Sequence, residues 1–153
     1  MRILITGGSG FVGSKFVKAL SKDNEVHFTY SNNSCTFENS TEHFLDVTKK
    51  PDVIELIKQI KPDLTIHTVA LPGMDQCETN KEIAYDINVN GTRNVTEGCK
   101  VADSKIIFFS TSSVFDGTKD SYREDDKPNP ISYHGDTHLE GEQIVSSSGL
   151  PFL

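Results

Sequence analysis

The chain has 153 residues, 35% hydrophobic and 24% charged, with 11 Gly and no Trp. That length suits one compact domain with a sizeable core, and the near-average composition excludes a disordered, collagen-like or disulfide-rich chain. A balance of 15 Lys+Arg against 22 Asp+Glu gives a formal charge of −7, which excludes nucleic acid and anionic membranes as primary partners.

Cys35, Cys77 and Cys99 are few, odd in number and in no metal-ligand spacing, as expected in a reducing compartment. The opening Met1-Arg2-Ile3-Leu4-Ile5-Thr6 is too short an apolar run for a signal peptide, and no later stretch reaches membrane-span length. A cytoplasmic location is expected.

Residues 2–6 read as a buried strand, followed by the glycine turn Gly7-Gly8-Ser9-Gly10. Residues 11–20 carry a helical stripe at Phe11, Val12, Phe16, Val17 and Leu20. Residues 25–30, β-branched and aromatic, form a second strand; 31–42, rich in Asn and Ser, form a loop; 44–47 form a short third strand. Pro51 sits in the first turn of a helix running to about residue 60, where its missing N–H does no harm. A fourth strand is expected over 63–70, a long helix over 81–102 and the most apolar strand over 105–111. A polar loop over 112–130 leads to a last helix over 132–147, and 149–153 open another strand.

Strands and helices alternating at this rhythm predict an α/β fold: a Rossmann-type, doubly wound parallel sheet in a single domain. Ligands in that architecture bind beyond the carboxyl ends of the strands. The turn Thr6-Gly7-Gly8-Ser9-Gly10-Phe11-Val12-Gly13 lies at such an end and opens a helix. Gly7 permits the tight turn, Gly10 lets backbone approach a pyrophosphate, and Gly13 lets the helix pack closely on the sheet. The helix N-terminus, with the N–H groups around Phe11 and Val12, favours phosphate. Ser31 and Asn32, at the end of strand two, can hydrogen-bond the adenosine ribose of either NAD or NADP, so the preference stays open.

The T-G-x-x-G-x-x-G turn resembles that of the extended short-chain dehydrogenases/reductases, and later segments point to the dTDP-4-dehydrorhamnose reductase branch. Phe44-Leu45-Asp46-Val47 is similar to the family's strand-three end, and Ile66-His67-Thr68-Val69-Ala70 to its strand four. Met74-Asp75-Gln76-Cys77-Glu78, Ile87-Asn88-Val89-Asn90-Gly91-Thr92 and Phe109-Ser110-Thr111-Ser112-Ser113-Val114-Phe115-Asp116-Gly117 resemble further motifs of the branch, in the family's order. The resemblance implies cofactor contacts at Asp46, Val47, Val69, Ala70 and Leu71, and Asn88 supporting the active-site helix. It also implies hydride reduction of a nucleotide-linked 4-keto deoxysugar.

The family's catalytic set is a Ser/Thr hydroxyl after strand five and a Tyr with a Lys four residues later. Thr111 takes the hydroxyl position. The motif Y-G-x-T-K-L-x-G-E aligns with His134-Gly135-Asp136-Thr137-His138-Leu139-Glu140-Gly141-Glu142, placing His134 and His138 where Tyr and Lys are expected. Tyr133 is one residue early and is followed at i+4 by Thr137, so a shifted register does not restore the dyad. Imidazole can act as a general acid, but it is no long permanent cation, so reduction is expected to be impaired or lost. The pair has no third metal ligand in sequence and reads as two solvated or cleft-facing histidines, with no metal expected.

These readings make residues 1–153 an NAD(P)-binding domain, with the substrate domain of the related reductases expected to be absent. The expected partners are a dinucleotide cofactor, a nucleotide-sugar and a second copy in a homodimer. The alternative is a non-catalytic nucleotide-binding regulatory or interaction subunit, because the same motif pattern occurs in the methionine adenosyltransferase beta subunit.

Overall fold

The computed structural model describes residues 1–153. Five strands form one sheet: β1 (Arg2–Thr6), β2 (Glu25–Tyr30), β3 (Ser40–Phe44), β4 (Leu64–His67) and β5 (Lys105–Phe108). All neighbours are parallel and the order is β3-β2-β1-β4-β5. The chain runs outward from β1 in one direction, then crosses back to build the other half, as the doubly wound expectation requires. A sixth strand begins beside β5: Ile106 N–H donates to Pro151 O at 3.1 Å, and Phe108 N–H to Leu153 O at 2.9 Å.

Alternate residues of β1 feed two cores. Ile3 and Ile5 join Val17, Val26, Phe28 and Ile66 beneath α1 (Gly13–Leu20). Leu4 joins Val53, Ile57, Val95, Cys99, Ile106 and Val145 on the opposite face, which is covered by α2 (Lys50–Ile60), α5 (Thr92–Ala102) and α6 (Tyr133–Ser146). A strand covered on both sides must be apolar throughout, and β1 is legible in sequence at its observed bounds for that reason, whereas β4 and β5, expected over 63–70 and 105–111, end at His67 and Phe108.

Several boundaries differ from expectation. β3 begins at Ser40, inside the expected loop, and ends at Phe44. It is an edge strand whose polar Ser-Thr-Glu-His run is fixed by ladder pairing with β2, Val26 opposite Ser40 and Tyr30 opposite Phe44, rather than by burial. The expected helical stretch over 81–102 is continuous, but its hydrogen-bond spacing changes midway: α4 (Lys81–Tyr85) runs into a π-helical stretch over Asp86–Gly91 and on into α5. A further short helix, α3 (Met74–Thr79), precedes them. Phe11 and Val12 are not part of the α1 core stripe. They precede the helix and are 86% and 42% exposed, because the glycine turn holds them at the mouth of the cleft.

Candidate functional site

The glycine turn closes with Gly10 N–H donating to Gly7 O at 2.9 Å. Gly7 has φ +74°, a left-handed conformation, and a Cβ there would lie 3.0 Å from Val69 Cγ2. A Cβ on Gly13 would collide with the Gly7 carbonyl, so α1 can start this close to the turn only with glycine at that position. Thr29 Oγ1 accepts the Gly7 N–H at 3.1 Å and Thr68 Oγ1 donates to Thr6 O at 2.8 Å, pinning the turn from β2 and from the end of β4. The backbone N–H groups of Phe11, Val12 and Gly13 donate to no acceptor within the chain. Free donors at a helix N-terminus, above a turn with no side chains in the way, fit a phosphate diester.

The turn opens on a cleft of about 220 Å³ lined by Gly7, Gly10, Ser31, Asp46, Val47, Val69 and Ala70 among the expected cofactor residues, with Ser9, Thr29, Thr68 and Ile87 added. Asn32 lines an adjoining cavity of about 830 Å³ that shares Ser31, Asp46 and Ile87 with the cleft. Within the cleft wall, Asp46 caps its own turn, accepting from Thr48 N–H at 3.0 Å and Thr48 O–H at 2.8 Å. Val47 is also a core residue whose carbonyl is held by Asn94 Nδ2 at 2.9 Å. Leu71 contributes through its backbone, donating its N–H to Asn88 Oδ1 at 2.7 Å.

Asn88 lies in the π-helical stretch, which carries the extra backbone turn common at functional positions. It is buried, and its Nδ2 donates to Thr137 Oγ1 at 2.9 Å. One amide therefore ties the loop after β4 to α6. Thr137, whose hydroxyl also donates to His134 O at 3.0 Å, was not singled out from sequence, although it lies in the aligned helix motif. His67 lies within the strand-four motif, where the sequence assigns it no role. It is fully buried and forms a chain: Thr6 Oγ1 to Nδ1 at 2.6 Å, Nε2 to Thr92 Oγ1 at 3.1 Å, and Thr92 O–H to Asn88 O at 2.5 Å. Thr92 spends its proton on Asn88, so His67 donates from Nε2 and accepts at Nδ1. Burial lowers the His67 pKa to about 4.

His134 and His138 face each other on α6 with ring centroids 4.6 Å apart. The sequence leads one to expect two solvated or cleft-facing histidines; His138 is buried instead, only 6% exposed. Both of its ring nitrogens and Nδ1 of His134 are buried without a hydrogen-bond partner. Burial lowers the His138 pKa to about 4, helped by the charge of His134, while burial alone lowers His134. The helix is drawn down here because its first turn packs against the 3₁₀ turn Ser112–Val114 and because Phe108 of β5 lies 6.2 Å from the His138 ring. Neutral rings are the only form that such a site holds cheaply. No cluster of three His, Cys, Asp or Glu side chains that could hold a metal forms anywhere in the chain.

Thr111 follows β5 and caps the 3₁₀ turn, accepting from Ser113 N–H at 3.2 Å. It borders a different hollow of about 530 Å³, together with Ser110 and Glu142, which are hydrogen-bonded to each other. Of the expected cofactor residues, Gly7, Gly10, Ser31, Asp46, Val47, Val69 and Ala70 line one cleft and Asn32 the adjoining cavity, whereas Phe11, Val12, Gly13 and Leu71 line neither; Asn88 joins that region to α6, and Thr111 opens onto a separate depression.

A model of the RmlD substrate binding domain family matches residues 1–153. The chain belongs to that family. Among solved structures, a hypothetical dTDP-4-dehydrorhamnose reductase from Sulfolobus tokodaii superposes with a TM-score of 0.86 at 41% identity, covering 94% of this chain and 51% of that one. The UDP-glucuronic acid 4-epimerase from Bacillus cereus, in complex with UDP-glucuronic acid and NAD, gives a TM-score of 0.89 at 26% identity over 100% of this chain and 55% of that one. Methionine adenosyltransferase 2 subunit beta from Xenopus tropicalis is 35% identical over 146 residues, 94% of this chain and 42% of that protein. The chain thus spans about half the length of the relatives that it matches. No helix is long and apolar enough to cross a membrane.

Proposed function

We propose that residues 1–153 are an NAD(P)-binding Rossmann domain of a dTDP-4-dehydrorhamnose reductase-like protein that acts on a nucleotide-linked 4-keto deoxysugar. The observation that carries this reading is the glycine turn, with the unpaired N–H groups of Phe11, Val12 and Gly13 at the mouth of α1. Those groups hold the pyrophosphate; Gly7 and Gly10 keep the approach open; Ser31, Asn32 and Asp46 meet the adenosine end; Val47, Val69 and Ala70 give the cleft its apolar wall. When bound, the cofactor supplies a hydride to the sugar ketone. The resemblance gives the Thr111 hydroxyl the ketone-orienting role, although it opens on a hollow separate from the cofactor cleft; His134 stands at the proton-donor position with His138 behind it, and Asn88 positions α6 through Thr137. Three free cysteines agree with a cytoplasmic setting. The homodimer expected from sequence is tested by sedimentation velocity.

Burial of His138 favours a second reading. A neutral, enclosed imidazole cannot supply the fixed cation that Lys would, so turnover is impaired and the chain resembles a nucleotide-binding subunit more than a reductase. Titration calorimetry with NADH and NADPH, run beside a nicotinamide-absorbance assay on a nucleotide-linked 4-keto sugar, separates the two. Tight binding with turnover supports the enzyme, tight binding without turnover supports the regulatory subunit, and no binding of either nucleotide defeats both.

A further inference from the structure

The adenosine end of the cleft has a charge pattern that nothing at the end of β2 reveals. The adjoining cavity, continuous with the cleft through Ser31, Asp46 and Ile87, carries the carboxylates of Asp46, Glu82 and Asp86 and a single ammonium, that of Lys81. That ammonium is already engaged: it lies 3.4 Å from Glu78 Oε2 and 5.1 Å over the Tyr133 ring. Ser31 and Asn32, the residues nearest in sequence to the ribose-reading position, are neutral. The wall's own side chains are therefore net negative; the Arg93 guanidinium beside it, which donates to Asn90 Oδ1 at 2.8 Å, is paired with Glu140 at 3.6 Å, and the chain as a whole has a formal charge of −7.

We propose that this wall selects NAD(H) over NADP(H), with Glu82 and Asp86 acting as specificity-determining residues by repulsion rather than by a contact. The inference rests on the dinucleotide reading above and deepens it. The two cofactors differ by a phosphate on the adenosine ribose, which brings close to two negative charges. NAD offers only hydroxyls at that place, which serine, asparagine and carboxylate oxygens can hydrogen-bond. NADP would bring its extra charge to a wall with three carboxylates and no free cation, a cost felt across a Debye length of about 8–10 Å. Specificity obtained by repelling the wrong ligand needs no acid at the strand end.

Calorimetric titration of the intact chain with NADH and with NADPH tests this directly. Binding of NADH tighter by about tenfold at low salt, with the gap narrowing as salt is raised, is the expected result. In the double variant Glu82→Gln with Asp86→Asn, NADPH affinity rises severalfold while NADH affinity stays within twofold, because both side chains are exposed and neither touches the glycine turn. Equal or tighter binding of NADPH by the unmodified chain overturns the proposal and leaves the dinucleotide reading intact. A double variant that shifts both nucleotides alike also overturns it. Failure of either nucleotide to bind defeats the dinucleotide reading itself, and circular dichroism of the same sample shows whether the protein was folded.

Discussion

Asn88 ties the loop after β4 to α6 through a single side-chain amide. Its amide oxygen holds Leu71 N–H at 2.7 Å and its amide nitrogen holds Thr137 Oγ1 at 2.9 Å, both away from water. Replacing it with Ala orphans a buried donor and a buried acceptor, each costing about 1–3 kcal/mol, so Asn88→Ala should lower the unfolding free energy by about 2–4 kcal/mol in urea titration. Asn88→Asp keeps an acceptor for Leu71 but buries a carboxylate with no cationic partner, so at pH 7 it should be at least as unstable as the Ala variant; an Asp variant as stable as the parent would contradict the burial of this site. At Gly13 the cost is steric. The methyl of Gly13→Ala meets the Gly7 carbonyl, and relief requires α1 to withdraw from the turn. Dinucleotide affinity is expected to fall by more than tenfold with about 1–3 kcal/mol of lost stability, read by calorimetry and denaturation on one sample. If Gly13→Ala retained full affinity, the N–H groups at the mouth of α1 would not be the phosphate donors.

At the scale of elements, the packing of α2 against α5 supports the wall of the cleft at Val47. Ile57 is fully buried in that interface, in one core with Val95 and Cys99. Ile57→Ala should cost about 2–5 kcal/mol and Ile57→Val about 1 kcal/mol, while the exposed neighbour change Lys58→Ala stays within about 0.5 kcal/mol. Equal losses at 57 and 58 would contradict this packing. Elements of this kind are legible in sequence because burial imposes a pattern: β1 and the start of β5 read as continuous apolar runs and α1 as a stripe at Phe16, Val17 and Leu20, while α2 is marked by Pro51 in its first turn. β3 and the π-helical stretch are not legible for the opposite reason. β3 is fixed by backbone pairing with β2 and leaves Phe44 66% exposed, so its side chains carry no alternation to read. The π-helical stretch is a matter of backbone hydrogen-bond spacing, and Asp-Ile-Asn-Val-Asn-Gly looks like an ordinary helical turn. The site divides along the same line. The glycine turn could be read because backbone constraints select glycine, whereas the burial of His138 depends on Phe108 and on a turn at 112–114, both distant in sequence.

For the molecule as a whole, the two buried histidines couple folding to pH. His67 and His138 each have a folded pKa of about 4 against an ordinary 6.5, chiefly because burial penalises the charged ring. Between those values the unfolded chain takes up protons that the folded chain refuses, so stability falls as pH falls. The contribution is fully present above about pH 6.5, declines through the interval down to about 4 and levels off below it. Each depressed group is worth about 3 kcal/mol at the limit, and the two do not simply add, because the charge of His138 also disfavours charging His67. Carboxylates held below their usual range, such as Glu25 beside His27 and Arg2, give way only at still lower pH. Urea midpoints measured from pH 7.5 to 4.5 should therefore fall steadily on the acid side of neutrality. His138→Phe places an apolar ring beside Phe108, removes two unpartnered nitrogens and cannot take up a proton. This variant should be as stable as the parent at pH 7.5 and more stable at pH 5, with a shallower slope between them. A variant that kept the parent slope would place the proton uptake elsewhere and leave His138 without a part in acid unfolding.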